Sequence, residues 1–250
     1  MRVDSPPYSA GLAAAYVAGG ELWFSRRMSR WILKTICRGE VGRMLDMACG
    51  GGEAVRVFRA AGWQALGLDR SEAMLQVART RNERGATFLQ ARMQESAKLG
   101  SRFNLVTCMY DAINCNLRVE DLFATFRNGY RLLLPGGRFV FDAFTVGGLH
   151  RAYDGLELHT RTRDHIVLTA SWVDQRQHIG TKELLGASRV PEWTPWREEH
   201  HVRAYPPKVL VDGLKRAGFT SVTLYGWPSG RIISISETDD LDRIIVVAQR

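Results

Sequence analysis

The stretch that most constrains this chain is MLDMACGGGEAV, Met44 to Val55, where an apolar run passes through Asp46 and opens into three consecutive glycines ahead of a helix-like segment. It reads as a strand, a tight turn and a helix start. Gly50, Gly51 and Gly52 can take positive φ and let a ligand approach the backbone, and the helix that follows offers unpaired N–H groups and the positive end of its dipole. Roughly 20 residues on, a second apolar run, Gln64 to Leu68, ends on Asp69, where a carboxylate can accept both hydroxyls of a ribose. A ligand carrying a nucleoside is expected at this turn.

Two cofactor classes share that layout, and the glycine spacing bears on the choice. A dinucleotide fingerprint needs a small third residue for close helix–strand packing, and counting from Gly50-x-Gly52 puts Val55 in that place, which weakens the dehydrogenase reading. An acidic residue also precedes the glycines on the strand itself. The pattern Asp46-x-x-Cys49-Gly50-x-Gly52 resembles the nucleotide-binding motif of class I S-adenosylmethionine-dependent methyltransferases. The resemblance implies S-adenosylmethionine as cofactor and S-adenosylhomocysteine as product. It assigns Asp46, Ala48, Gly50 and Gly52 to the loop that meets the cofactor's amino-acid part, and Asp69 with its neighbour Arg70 to the ribose.

Further segments carry the same resemblance. In GLDRSEAML, Gly67 to Leu75, the family's equivalent of Met74 packs near the adenine, although Met74 serves equally well as a core residue. Many relatives place an Asp near the adenine amine after the third strand, whereas this chain has Gln90-Ala91-Arg92-Met93. A main-chain N–H of Met93 or Gln94, or the Gln94 side chain, is the substitute. LLLPGGRFVFD, and the ending RAGFTSVTLYGW through DRIIVVAQR, are also similar to the family.

The rest of the pattern predicts an α/β fold. Helices are expected over Glu53–Ala61, over Glu72–Arg81 with Ser71 as N-cap, over Val119–Leu134 and over Lys208–Ala217. Strands are expected at Ala86–Leu89, Phe103–Tyr110, Arg138–Phe144, Thr220–Gly226 and Arg243–Gln249. FNLVTCMY is apolar almost throughout, as a central parallel strand buried on both faces should be. Its carboxyl end should face the ligand, which nominates Met109 for the cofactor and Tyr110, Asp111 and Asn114 for the reaction centre. From Val146 to Arg203 the βα rhythm breaks. His165–Val173 and Ile179–Val190 read as antiparallel strands, with Pro191, Trp193, Pro195 and Trp196 marking an irregular turn. The whole reads as a Rossmann-like doubly wound seven-stranded sheet, mostly parallel with an antiparallel C-terminal strand. An N-terminal helical lid takes residues 1–40, the cofactor-binding core 41–145, an antiparallel β insertion capping the substrate 146–204, and the C-terminal part of the core 205–250.

Composition narrows the function classes. At 250 residues and 45% hydrophobic, one large domain is expected. Cys37, Cys49, Cys108 and Cys115 show no CxxC or metal-ligand spacing and read as reduced and buried, so no metal is predicted. No apolar run reaches membrane-span length and no basic leader precedes the Ala/Gly-rich opening, so a cytoplasmic protein, monomer or homodimer, is expected. A net charge of +8, with Arg26, Arg27, Arg30, Lys34, Arg38 and Arg43 clustered before the first strand, raises nucleic acid as a partner. Their near-helical spacing beside Trp31, Ile32, Leu33 and Ile36 instead fits the solvated face of one amphipathic helix. The resemblance makes this segment a lid, in which Tyr8, Tyr16, Trp23 and Arg27 either contact the cofactor or pack the helices. CMYDAINC also lacks the Asn/Asp-Pro-Pro-Tyr/Phe signature of DNA amino-methyltransferases.

A methyl sulfonium is already activated, so alignment in a water-poor pocket supplies most of the chemistry and a base supplements it. All six histidines fall after position 149, and EEHHVRAY presents His200 and His201, of which strand alternation lets one point inward. His200, which fits the looser family pattern Glu-Glu-His-x-x-Arg-x-Tyr, is the candidate base, with Tyr110, Asp111 and Glu199 as rivals. The expected function is methyl transfer to a nitrogen or oxygen of a small molecule, a natural product or amino sugar. The alternatives are an RNA or protein methyltransferase, or a protein that binds the same cofactor for other chemistry.

Overall fold

A computed structural model describes residues 7–82, 85–100, 102–189, 192–238 and 240–250. The N-terminal segment holds α1 (Ala10–Ala18) and α2 (Trp23–Ile32). The core then runs β1 (Arg43–Met47), α3 (Glu53–Ala60), β2 (Gln64–Asp69), α4 (Glu72–Arg81), β3 (Thr87–Gln90), β4 (Phe103–Cys108), α5 (Val119–Leu132), β5 (Leu133–Phe144) and α6 (Val146–Ala152). An antiparallel unit follows, β6 (Gly155–Arg161), β7 (His165–Asp174), β8 (Ile179–Arg189) and β9 (Trp193–Arg203). The chain returns to the core with α7 (Pro207–Ala217), β10 (Ser221–Trp227), β11 (Ile232–Ile233) and β12 (Arg243–Gln249).

The main sheet has the order β11-β10-β12-β5-β4-β1-β2-β3. Strands β1 to β5 are mutually parallel, and β12 runs antiparallel between β5 and β10. This is the expected doubly wound sheet, with one difference: the two-residue β11 adds an eighth strand at the edge. Helix α5 ends two residues earlier than expected, and Leu133 already pairs with Phe103. Pro135-Gly136-Gly137 is then looped out, with Gly136 at φ 77°, before pairing resumes at Arg138 opposite Leu105. Strand order reverses between β1 and β4, so their carboxyl ends and that of β2 open a crevice on one side of the sheet.

The basic cluster is not one helix. Phe24, Met28 and Ile32 bury one face of α2 at i, i+4 and i+8, but beyond Ile32 the chain widens into a π-helical turn, Leu33–Cys37, which Arg38 ends at φ 48°. Arg43 already belongs to β1. Arg26 is committed to Glu53, whose buried carboxylate also takes Arg56 and Arg81, at 2.6, 2.7 and 3.2 Å. Burial pushes the Glu53 carboxyl up, and the guanidinium groups of Arg56 and Arg26 more than reverse that, holding it below its ordinary value. One acid thus joins α2, α3 and α4.

The second sheet has the order β6-β7-β8-β9. The expected turn at Trp193–Trp196 is instead the start of β9, with Pro195 opposite Ala187. An edge strand tolerates proline because one row of its N–H groups needs no partner. Trp196 fills the space over Gly186 and Gly11, where an added Cβ would lie 2.1 and 2.6 Å from its ring. Val190 and Pro191 lie outside the described residues. Cys37, Cys49 and Cys108 are buried free thiols, whereas Cys115 is exposed, on the wall of the crevice. Among the described residues no helix is long and apolar enough to cross a membrane, and no group of three metal-ligating side chains occurs.

Candidate active site

The crevice at the carboxyl ends of β1, β2 and β4 is a cavity of about 320 Å³ closed on its far side by the second sheet. Its floor is the glycine turn. Ala48 and Gly50 both sit in the left-handed region, at φ 56° and 49°, and a Cβ built on Gly50 meets nothing within 4 Å. A non-glycine residue held there is uncommon and persists only where its surroundings fix it. Asp69 accepts the Gly50 N–H at 2.9 Å and the Ser71 N–H at 2.8 Å, so the acid that ends β2 ties the turn to the next helix start. Burial pushes its carboxyl up, and those two N–H groups work against the rise. Ser71 caps α4 by accepting the Met74 N–H at 3.2 Å, as the sequence predicts, and its hydroxyl donates to the Tyr8 carbonyl at 2.7 Å.

Tyr8, Tyr16, Ala48, Gly50, Asp69, Arg70, Met74, Met93, Gln94, Met109, Tyr110, Asp111 and His200 all line this cavity. Of the residues proposed from the sequence, Asp46, Gly52, Arg27, Asn114, Trp23 and Glu199 do not. Asp46 is buried behind the turn, where it accepts the Thr107 hydroxyl at 2.6 Å; burial pushes it up to about 7 despite that bond. Gly52 caps α3 at φ 73°, and a Cβ there would lie 2.7 Å from Asn82 and 2.9 Å from Phe88, so packing is what requires this glycine. Arg27 is exposed and lies 4.9 Å over the Trp227 ring, on the far side of α2. Asn114 is also drawn away, donating to the Arg203 carbonyl and accepting the Phe144 N–H.

Beyond β4, Tyr110 and Asp111 are consecutive non-glycine residues at φ 61° and 50°. The Asp142 carboxylate holds that turn, accepting the Tyr110 N–H at 2.6 Å and the Asp111 N–H at 3.1 Å. Arg243, from the first position of β12, pairs with Asp142 and, at 3.0 Å, with Asp111, and lies against the rings of Phe24, Tyr110 and Phe144. Burial pushes the Asp111 carboxyl up to about 6 against the pull of Arg243. No local sequence signal marks this assembly, because Arg243 lies 101 and 132 positions from its two partners and Asp142 lies 31 from Asp111. Glu21 is another residue missed: it accepts the Tyr110 hydroxyl at 2.6 Å and so fastens the segment between α1 and α2 across the cavity.

The second sheet supplies the opposite wall through Lys182, Leu184, His200, His201 and Val202, with Tyr153 and His159 beside them. The two histidines divide as strand alternation requires. His201 shares a face with Glu199 and bonds Thr181 across the ladder at 3.0 Å, whereas His200 bonds Glu198 at 2.8 Å and meets the edge of the Tyr8 ring. Burial pushes Glu198 up, but the bonds from His200 and from the Ser9 N–H prevail and hold it below its ordinary range. Burial raises both the Tyr8 and the Tyr110 phenol, keeping them protonated donors.

Residues 44–137, which include the glycine turn, Asp69 and β4, match a family model described as a methyltransferase domain. The chain carries a methyltransferase domain with the class I S-adenosylmethionine-dependent fold. The chain is 25% identical over 201 residues to the protein YqeM of Bacillus subtilis, named as a methyltransferase, an alignment covering 76% of this chain and 78% of that one. Its structure superposes on the sugar N-methyltransferase KedS8 of Streptoalloteichus with a TM-score of 0.76 at 18% identity, covering 100% and 96% of the two chains. The amino pentose methyltransferase CalS10 of Micromonospora echinaspora, solved with S-adenosylmethionine bound, gives 0.69 at 23% identity over 98% of each. At such identities the solved structures establish the fold, and the family match lies over the half of the cavity that holds the glycine turn and Asp69.

Proposed function

We propose that this methyltransferase transfers its methyl group to a nitrogen or oxygen of a small acceptor, an amino sugar or comparable natural-product unit. The observation that carries the reading is the continuity of one cavity from the glycine turn and Asp69 to a wall built by the second sheet, so that cofactor floor and acceptor wall face each other across a single small space. The names of KedS8 and CalS10 support a sugar amine, and a pocket of this size suits a small molecule. In this reading residues 1–40 are the lid, 146–204 the substrate cap, and 41–145 with 205–250 the core.

The residues present fit the cofactor. Asp69 carries lone pairs beyond those used by its two N–H donors, and the open backbone at Ala48 and Gly50 leaves room for an amino-acid group. Met74, Met93 and Gln94 line the cavity on the adenine side, and Arg70 flanks Asp69. Bound S-adenosylmethionine would supply an electrophilic methyl group needing no further activation. The protein excludes water and orients the acceptor, and His200, steadied by Glu198, takes the acceptor's proton at a ring nitrogen. Asp111, beyond β4 on the facing side, is the alternative proton acceptor, whereas burial keeps Tyr110 protonated and leaves it a donor.

The test pairs calorimetry with acceptor screening. Asp69→Ala removes two contacts to a charged acceptor, each about 1.5–3 kcal/mol, so S-adenosylhomocysteine should bind at least about 100-fold more weakly. Unchanged affinity sinks the cofactor placement. Labelled-methyl transfer to amino sugars is expected; transfer confined to RNA or protein defeats the small-acceptor reading.

A further inference from the structure

Within the small-acceptor reading above, on which this step rests, we infer that the acceptor is an amine and that Glu21 is the residue that recognises it. The Glu21 side chain lines the cavity from the segment between α1 and α2 and is 16% exposed. One carboxylate oxygen accepts the Tyr110 hydroxyl at 2.6 Å. The other makes no such bond among the described residues, and His159 Nε2, on β6, stands 3.8 Å from it, beyond hydrogen-bond reach. Of the other acids lining the cavity, Asp69 accepts two N–H groups, Asp111 pairs with Arg243, and Asp121 lies toward Tyr205. The cations facing this end are matched as well: Arg243 with two acids, and Lys182, 5.0 Å over the Tyr153 ring, with Glu157 at 4.0 Å. Glu21 is left as a largely buried carboxylate with one oxygen unsatisfied, which is costly until a ligand supplies the donor.

The surroundings suit an ammonium. Tyr110 and Tyr16 stand beside Glu21 with ring centroids 6.1 Å apart, and Tyr8 follows 6.0 Å from Tyr16. Burial holds all three phenols protonated, so the rings present neutral π faces, which attract a cation far more than a hydroxyl. The sign of the charge then separates the two acceptor atoms. An amine arrives as an ammonium, donates an N–H to Glu21 and releases one proton to His200. The nitrogen lone pair forms the N–C bond as the C–S bond breaks and its electron pair stays on sulfur, so positive charge passes from sulfur to nitrogen. A carboxylate beside that nitrogen favours the transfer and stays matched to the N-methylammonium product. A hydroxyl has to shed its proton as it attacks, and the same carboxylate opposes the alkoxide character this builds on oxygen. The ether product would leave the Glu21 oxygen without a donor again.

Saturation-transfer NMR on the full chain loaded with S-adenosylhomocysteine is the test. The probes are cyclohexylamine and cyclohexanol, a matched pair differing only in the group offered to Glu21. At about pH 7.5, where the amine is protonated, the wild type should bind the amine at least about tenfold more tightly than the alcohol. Glu21→Gln keeps an acceptor for the Tyr110 hydroxyl and should lose that preference while binding S-adenosylhomocysteine as before. Equal affinity for the two probes, binding of neither, or a preference that Glu21→Gln retains overturns the inference and leaves the cofactor site standing. The wild-type comparison decides even where the variant folds poorly. A wild type that does not bind S-adenosylhomocysteine removes the underlying reading instead. In labelled-methyl assays the methyl should appear on nitrogen; its appearance on a sugar hydroxyl overturns the choice of an amine while upholding a small acceptor.

Discussion

Replacing Arg243 with methionine isolates the assembly that holds the Tyr110–Asp111 turn. The guanidinium is one-tenth exposed and faces Asp142, which is fully buried, and Asp111. Without it two buried carboxylates share a site whose remaining counter-charge is the weaker pull of Lys182 on Asp111, and the cost of stranding buried charge in this way is about 3–5 kcal/mol. For a chain of this length each kcal/mol is worth about 2–4 °C in Tm, so the variant should melt roughly 10 °C lower at pH 8. The deficit should also depend on pH. Asp111 is held near 6 in the folded protein against an ordinary 3.8, so in the wild type its contribution to stability declines as pH rises from about 4 to about 6 and is level above. Removing the cation raises that carboxyl further, so in Arg243→Met the decline continues through neutral pH. Thermal melts at pH 5.5 and 8 should show about half the deficit at the lower value, and adding Asp111→Asn should recover part of the loss at pH 8. A deficit equal at the two pH values, or one smaller than about 3 °C at pH 8, would refute the reasoning.

Three further outcomes are expected. His200→Ala should lower the methyl-transfer rate about 100-fold with cofactor affinity little changed, and normal turnover from about pH 6 to 9, which spans the ordinary histidine range, would return His200 to a structural role. Glu53→Gln should cost about 2–3 kcal/mol at pH 7, discounted because its arginine partners are partly exposed. Its folded pKa is depressed, so that loss should vanish as pH falls through 4.5 and below, which denaturant titrations at pH 4 and 7 will check. Asp46→Asn should flatten the stability profile between about pH 4 and 7, where the wild type loses stability as pH rises because the buried carboxyl resists ionising; an unchanged slope in urea titrations argues against that burial cost.

What the sequence made legible was whatever is written locally. The glycine turn, the Ser71 cap and the acid ending β2 each announce themselves within a few residues, because tight turns and helix starts are fixed by short-range sterics and hydrogen bonds. Pairings across the fold left no such trace. Arg243 looks like the polar first residue of an ordinary strand, and nothing near Glu21 says that it will meet Tyr110. Trp193 to Trp196 misled because a proline between tryptophans signals a turn, and only the knowledge that β9 is an edge permits a strand. The strand Gly155–Arg161 carries the period-two pattern of Leu156-Glu157-Leu158-His159, which tells a strand but not that its leucines face outward. The resemblance offers Arg27 either to the cofactor or to helix packing, and the phase of α2 turns it onto Trp227.

The Ser71 hydroxyl has a consequence for ligand traffic. One oxygen both starts α4, immediately after the ribose-side acid, and fastens the Tyr8 carbonyl of the N-terminal strap. Undocking the strap frees a donor in the cap beside Asp69, and loosening the cap removes one of its fastenings, alongside those of Ser9 to Glu198 and Glu21 to Tyr110. The two should open together, as a single unit in hydrogen exchange, with the Met74 and Ser71 amides exchanging in step with those of α1. In the lid reading proposed above, entry and exit of the nucleoside share the free-energy cost of that opening, so the residence time of the spent cofactor should depend in part on Ser71, a serine that carries no proton in the reaction.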